Sequence, residues 1–223
     1  MRYKAVLFDG YGTLFEGAME KLIEICAEIV RDYSIALSPE DFLKAWDHYF
    51  FPLIRNEDSF VTLRQAHIET LPIVFRDLNL GKPSLHYVND LFEWFSQASL
   101  FDDVTSTLRQ LDGHISAIVS NADIDHLEAA LSLNNLSFST VISSESAKSY
   151  KPAKRIFHIA LKEIGCSPEE TLYVGDSQDD DIVGTRRAGL NIAWLNRTGE
   201  TLKAEIPKPK YEINSLEEIL EII

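Results

Sequence analysis

AVLFDGYGTLF, residues 5–15, runs four apolar residues into an aspartate, then places a tyrosine between two glycines. A short apolar run that stops on polar and glycine-rich residues has the form of a buried parallel strand feeding a loop. Four later runs share that form, at 115–119, 140–142, 172–174 and 192–195. Helical patterns lie between the later ones. Pro152 is expected at the first position of a helix carrying Ile156, Phe157, Ala160, Leu161 and Ile164, with Gly165 as its stop. Strands alternating with helices predict a doubly wound, mostly parallel α/β sheet of five strands.

The interval after the first run breaks this rhythm. From about 17 to 99 the pattern is helical throughout. Met19, Leu22, Ile23, Cys26, Val30 and Tyr33 form one apolar stripe. Ser38, Pro39, Glu40 and Asp41 read as N-cap, first-turn proline and acidic first turn ahead of Phe42 and Trp46. Further helices are expected within 59–79 and 85–96. The aromatics Phe42, Trp46, Tyr49, Phe50, Phe51, Phe60, Phe75, Phe92, Trp94 and Phe95 are expected to build a separate small core. The predicted organisation is therefore an α/β core from 1–15 and 100–223, with a helical cap inserted at 16–99. Pro207-Lys208-Pro209 reads as an extended link to a last helix at 216–223.

Composition narrows the partners. The 223 residues are 45% hydrophobic and 25% charged, as a globular chain is, and the net charge is −14. That charge disfavours nucleic acid and anionic membrane, both of which select a basic face. Cys26 and Cys166 have no metal spacing, and the six histidines have none either. The start MRYKAVLFDG has charges too near Met1 and too little apolar length for a signal peptide, so the cytoplasm is the expected compartment. Oligomeric state leaves no mark in the sequence.

In an open parallel sheet, ligands bind beyond the carboxyl ends of the strands. The residues there are Asp9; Ser120 and Asn121; Gly175, Asp176 and Ser177; with Lys151-Pro152 and Asp179-Asp180-Asp181 on following loops. Carboxylates brought together raise one another's pKa unless a cation neutralises them, and hard oxygen ligands suit Mg²⁺. Ser120 and nearby backbone N–H groups suit phosphoryl oxygens, Lys151 supplies a fixed positive charge, and Asp9 is then free to act as a nucleophile. Gly10 and Gly12 let the backbone turn tightly against a ligand. Taken singly, each residue also reads as an ordinary turn, cap or surface group. Rival motifs fail: the third glycine of a dinucleotide fingerprint is Phe15 here, and no GxSxG elbow or GKS/GKT loop occurs.

FDGYGTL (8–14), IVSN (118–121), YKP (150–152) and VGDSQDDDIVGTRRAG (174–189) together resemble the four motifs of the haloacid dehalogenase-like (HAD) superfamily, in the branch with a helical cap after the first strand of a Rossmann-like core. AWLNRTG (193–199) resembles a stretch common near the C-terminus of that branch. The resemblance implies Asp9 as nucleophile, Ser120 and Asn121 as binders of the transferring group, and Thr13 as support for the first loop. It implies Lys151 as the neutralising cation. Asp176 would hold Mg²⁺ with Asp9 and the Tyr11 carbonyl. Asp181 best matches the second acid of the fourth motif, with adjacent Asp180 as the alternative.

Tyr11 departs from the phosphatase pattern, which has a second aspartate there to protonate the leaving oxygen. Tyrosine resembles the 2-haloacid dehalogenases, which expel halide and need no acid. Those enzymes, however, lack the acidic metal pair kept here, and cradle halide with an arginine beside a tryptophan where this chain has Trp46-Asp47; Arg55 and Arg64 are the possible substitutes. The leading expectation is a Mg²⁺-dependent phosphohydrolase acting on a small phosphorylated molecule through an aspartyl-phosphate on Asp9, with Tyr11 as a stand-in proton donor. The alternatives are a metal-independent 2-haloacid dehalogenase and a phosphate-binding pseudoenzyme.

Overall fold

The computed structural model describes residues 3–223; Met1 and Arg2, where the expected core segment and the leader reading begin, lie outside them. Strands β1 (Ala5–Phe8), β2 (Ile115–Ser120), β3 (Thr140–Ser143), β4 (Thr171–Gly175), β5 (Asn191–Leu195) and β6 (Tyr211–Ile213) form one parallel sheet in the order β3-β2-β1-β4-β5-β6. The sheet thus has six strands where five were expected. The extra strand is a three-residue edge whose Glu212 is exposed, so no buried apolar run announces it.

Successive side chains of the strands enter two different buried clusters. Val6, Phe8, Ile118, Leu172, Val174 and Leu195 pack on one face. Leu7, Ala117, Val119, Tyr173, Ile192 and Trp194 pack on the other. Burial on both faces is why these strands read as continuous apolar runs. Each large apolar side chain so buried contributes roughly 1.5–3 kcal/mol.

Helices α1 (Ala18–Asp32), α2 (Pro39–Ile54), α3 (Leu63–Asp77) and α4 (His86–Ser96) fill the interval between β1 and the approach to β2. Their facing sides build a third cluster around Ile29, Phe42, Trp46, Phe75, Leu91 and Phe92. Nine of the ten expected aromatics pack there; Trp94 packs against a sheet-face cluster instead. Ser38 caps α2 by accepting from Asp41 N at 3.1 Å, with Pro39 in the first turn. Met19 leaves the expected stripe: it is 61% exposed, because α1 buries Ile25, Cys26 and Ile29 and turns its first residues toward a cleft. The chain departs and returns side by side, with Phe101 N donating to Leu14 O at 3.1 Å and Glu16 N to Ser99 O at 3.0 Å.

The remaining helices are α5 (Val104–Arg109), α6 (Ile124–Leu133), α7 (Ser144–Ala147), α8 (Lys154–Ile164) and α9 (Val183–Ala188). Helix α8 starts two residues later than expected: Ala153 is its cap, and Pro152 stands before it in the Lys151–Pro152 turn. Gly165 ends it with φ at 66°. The C-terminal segment is a 3₁₀ helix, Leu216–Glu221. Among the described residues no helix is long and apolar enough to cross a membrane.

Candidate active site

The strand order reverses direction at β1 and β4, and Asp9 leaves β1 at that point. Asp9 N donates to Val174 O at 2.9 Å, so the residue stays locked to the neighbouring strand while its side chain emerges at the sheet edge. Gly10 follows flush against β2: a Cβ there would lie 2.8 Å from Ser120 Oγ. Gly12 has φ at +94°, and a Cβ on it would meet Asp176 Oδ2 at 2.5 Å. The loop therefore needs a residue without a side chain, both for its left-handed backbone and for its approach to Asp176.

Asp9, Asp176 and Asp181 each offer a carboxylate oxygen, and these oxygens lie within 4.8 Å of one another. Among the described residues one cation faces them. Lys151 is buried, and its ammonium donates to Asp9 Oδ1 at 2.5 Å, Asp181 Oδ1 at 2.7 Å and the Tyr173 hydroxyl at 3.1 Å. Burial pushes the Asp9 carboxyl up to about 6, against the opposing pull of Lys151. Burial, then Asp9 and Asp181, hold Asp176 well above the ordinary carboxylate range. Burial opposes the charge on Lys151, but Asp181 and Asp9 outweigh it and raise the ammonium. Three carboxyl groups meet one lysine, so the fully charged trio is disfavoured without a further cation. A hard divalent cation is the group that this donor set fits.

The second acid of the fourth motif is separated from its neighbours by the local fold. Residues Gln178–Ile182 form a π turn: Ser177 O accepts from Asp181 N at 3.0 Å and Ile182 N at 3.2 Å, and Ser177 Oγ from Asp180 N at 3.1 Å. The wide turn sends Asp181 inward, where Oδ2 accepts from Ser177 N at 3.0 Å. Asp180 faces Asn121, whose Nδ2 is 3.4 Å away, and Arg55 at 3.6 Å. Asn121 also accepts from Lys151 N at 2.7 Å, tying the second motif to the third. Ser120 is buried at the end of β2, and Thr13 donates to Asp176 Oδ1 at 2.9 Å.

Tyr11 turns away from the acids. Its hydroxyl donates to Phe95 O at 2.9 Å, and its ring packs against Phe15, Phe95 and His126. Burial, with Asp125 and Asp9 nearby, drives the phenol pKa up. Its side chain joins the helical layer to the first loop; the backbone beyond it, at Gly12, is what meets Asp176. Of the residues weighed as a halide cradle, Trp46 is buried and gives its indole N–H to Thr70 Oγ1 at 2.8 Å. Arg64 stacks over Phe92 at 4.4 Å and pairs with Asp125 at 3.7 Å.

Several supporting residues were not singled out from the sequence. Tyr173 lies inside β4, donates to Asp181 Oδ1 at 2.8 Å and accepts from Lys151; nothing distinguishes it from a core tyrosine in a buried run. Trp194 Nε1 donates to Asp176 O at 2.7 Å, and Arg197 donates to Thr13 O at 3.2 Å while forming a two-pronged pair with Asp103. Both belong to AWLNRTG, so that stretch braces the first loop and Asp176. Asp123 sits at the N-cap position of α6 but gives its carboxylate to α3, accepting from Leu63 N at 2.6 Å and Arg64 N at 2.9 Å.

The chain is similar to known proteins along nearly its whole length. An (S)-2-haloacid dehalogenase 4A of Burkholderia cepacia is 26% identical over 97% of this chain and 93% of its own length. Pyrophosphatase PpaX of Oceanobacillus iheyensis is 28% identical over 100% of this chain and 98% of its own. The crystal structure of an L-2-haloacid dehalogenase superposes with a TM-score of 0.81 at 22% identity, covering 100% of this chain and 99% of that one. The family description haloacid dehalogenase-like hydrolase matches residues 3–189. With the four motifs converged on one sheet edge, the chain belongs to the haloacid dehalogenase-like hydrolases.

Proposed function

We propose that the protein is a Mg²⁺-dependent phosphohydrolase acting on a small phosphorylated molecule. The observation that carries this reading is the trio of buried Asp9, part-buried Asp176 and buried Asp181, which meets Lys151 as its one cation among the described residues. A divalent ion held by Asp9, Asp176 and Asp181 would offset their charge and polarise a phosphoryl oxygen. Attack by an Asp9 carboxylate oxygen on phosphorus forms an aspartyl-phosphate as the bond to the leaving oxygen breaks. Ser120 and Asn121 stand where phosphoryl oxygens would lie, and Lys151 spreads the negative charge that builds on them. Water then attacks the acyl-phosphate, releasing phosphate and a proton and restoring the Asp9 carboxylate. The helical layer α1–α4 serves as the cap that shapes the approach and excludes water.

Tyr11 sets the proton chemistry of the first step. Its hydroxyl is committed to Phe95 O, and its pKa is raised, so no side-chain acid meets the leaving oxygen from this position. A positioned acid is worth about 10²–10⁴ in rate. Esters with weakly basic leaving groups are therefore the better substrates, and alkyl phosphates the poorer.

The same tyrosine favours a second reading, a 2-haloacid dehalogenase in which Asp9 attacks the halogen-bearing carbon, since halide leaves without a proton. The surplus of carboxylates and the engaged indole of Trp46 weigh against it. Hydrolysis of p-nitrophenyl phosphate with Mg²⁺ and with chelator, beside halide release from 2-chloropropionate, separates the two. Nitrophenol release that needs Mg²⁺ and vanishes in Asp9→Asn is the expected result. Halide release indifferent to chelator would overturn it.

A further inference from the structure

A cleft of 370 Å³ opens between the α2–α3 loop and the turn that carries Lys151. Its charge is the reverse of the chain's. The protein has 21 basic and 35 acidic residues, yet five of the residues lining this cleft are basic (Arg55, Lys148, Lys151, Arg155 and Arg187), against the two acids Glu57 and Asp179. Asp179 is already paired with Lys203 at 2.5 Å, on the outside. Lys151 and Arg55 face Asp9, Asp181 and Asp180. Arg155 and Arg187 are exposed and engage no carboxylate, hydrogen-bond acceptor or ring among the described residues.

Lys148 is held in place beside them. It ends α7 with φ at 48°, a left-handed backbone uncommon for a residue with a long side chain. Its ammonium lies 4.9 Å from the centre of the Phe60 ring, which is stacked on Tyr150 at 5.3 Å. The cleft thus has an aromatic wall with a cation on it, two unengaged arginines on its rim, and Lys151 at its inner end. Asp180 links it to the candidate phosphate site, standing between Asn121 and Arg55.

We infer that this cleft seats a second anionic group, a carboxylate or a phosphate, carried on the leaving portion of the substrate and gripped by Lys148, Arg155 and Arg187. The inference rests on the phosphohydrolase reading and narrows its substrate class to phosphate esters that bear a further negative charge. Charge-assisted hydrogen bonds to such a group are worth tenfold or more in affinity.

The test uses calorimetric binding to the full-length Asp9→Asn protein with Mg²⁺, so that turnover does not intervene. The probes are propyl phosphate, 3-phosphonooxypropanoate, and the bisphosphates of 1,3-propanediol and 1,5-pentanediol. At least one of the doubly anionic probes should bind tenfold or more tighter than propyl phosphate; whether the carboxylate or the bisphosphates lead identifies the group. Adding Arg155→Gln and Arg187→Gln should bring the affinities together at the propyl phosphate value. Both arginines are exposed and unpaired, so the melting temperature should not move. Equal affinities for all probes, or no binding, or a preference that survives loss of both arginines, would overturn the inference. Wild-type hydrolysis of p-nitrophenyl phosphate is scored separately. If it occurs while the probes bind alike, only the cleft assignment falls; if it is absent with Mg²⁺, the phosphohydrolase reading falls and takes this substrate class with it.

Discussion

The Tyr11 hydroxyl donates to the Phe95 carbonyl at 2.9 Å, spanning from the loop after β1 to the last turn of α4. The residue that stands where a phosphatase of this family has its acid is therefore part of the joint between two layers. Tyr11→Phe should cost about 1 kcal/mol of stability, the value of one such hydrogen bond. Turnover of p-nitrophenyl phosphate should stay within about twofold, because the lost hydroxyl meets no reacting atom. A tenfold fall in kcat would return the phenol to the proton path. Tyr11→Asp should raise hydrolysis of an alkyl phosphate relative to the nitrophenyl ester; an unchanged ratio in a folded variant would count against the missing acid as the limit.

Burial disfavours the charged form of Asp176, Asp9 and Asp181 repel that charge, and among the described side chains only the Thr13 hydroxyl donates to its carboxylate. In chelator at pH 7, Asp176→Asn should raise the melting temperature, because it removes that repulsion while keeping an oxygen for the Thr13 hydroxyl. In the wild type, Mg²⁺ should raise the melting temperature by mass action, and the variant should lose most of that shift. Differential scanning calorimetry with and without Mg²⁺ reads both effects. A variant less stable than wild type in chelator would show that the trio carries no excess charge.

How much of this was legible in advance depends on the range of the interactions involved. Buried parallel strands announce themselves as apolar runs, and Asp9, Ser120, Asn121 and Asp176 follow directly from where those runs stop. β6 was silent because an edge strand with Glu212 exposed has no such run. Helix caps with local signals, Ser38 and Gly165, were readable; Asp123 was not, because the helix its carboxylate serves begins sixty residues earlier. Tyr173 shows the same limit. Its hydroxyl reaches Lys151 and Asp181 across the fold, while its ring is indistinguishable in sequence from core.

Asp123 makes a prediction about the helical layer. All four leading amides of α3 are satisfied: Leu63 and Arg64 by Asp123, Gln65 by Thr62 Oγ1 and Ala66 by Thr62 O. Only the first two depend on the sheet side of the molecule. Asp123→Ala should cost roughly 1–2 kcal/mol, the range for losing a cap. It should also speed hydrogen exchange at Leu63 and Arg64 by more than at Gln65 and Ala66, whose partner stays. Uniform acceleration over the whole of α3 would mean general destabilisation, not a released contact between layers.

His126 sets a dependence on pH. It is buried among Tyr11, Phe92 and Phe95; among the described residues neither ring nitrogen has a hydrogen bond, and Asp125 Oδ1 lies 3.6 Å from Nδ1. Burial holds its pKa down at about 4; Asp125 opposes this, and Arg64 and His67 add to it. The unfolded chain takes up the proton near ~6.5, so between there and about 4 the unfolded state binds more protons and the fold loses stability as pH falls. Above that window the contribution is intact; below it the loss is complete, at roughly 3 kcal/mol for a shift of this size. Asp9 and Asp180, both raised to about 6, act in the opposite sense and lose stability as pH rises through the same range. The difference between wild type and His126→Phe isolates the histidine. Urea midpoints measured from pH 7 to pH 4.5 should fall less steeply in the variant, which keeps an aromatic ring in the nest and cannot take a proton. Parallel slopes in the two proteins would mean that His126 does not titrate there.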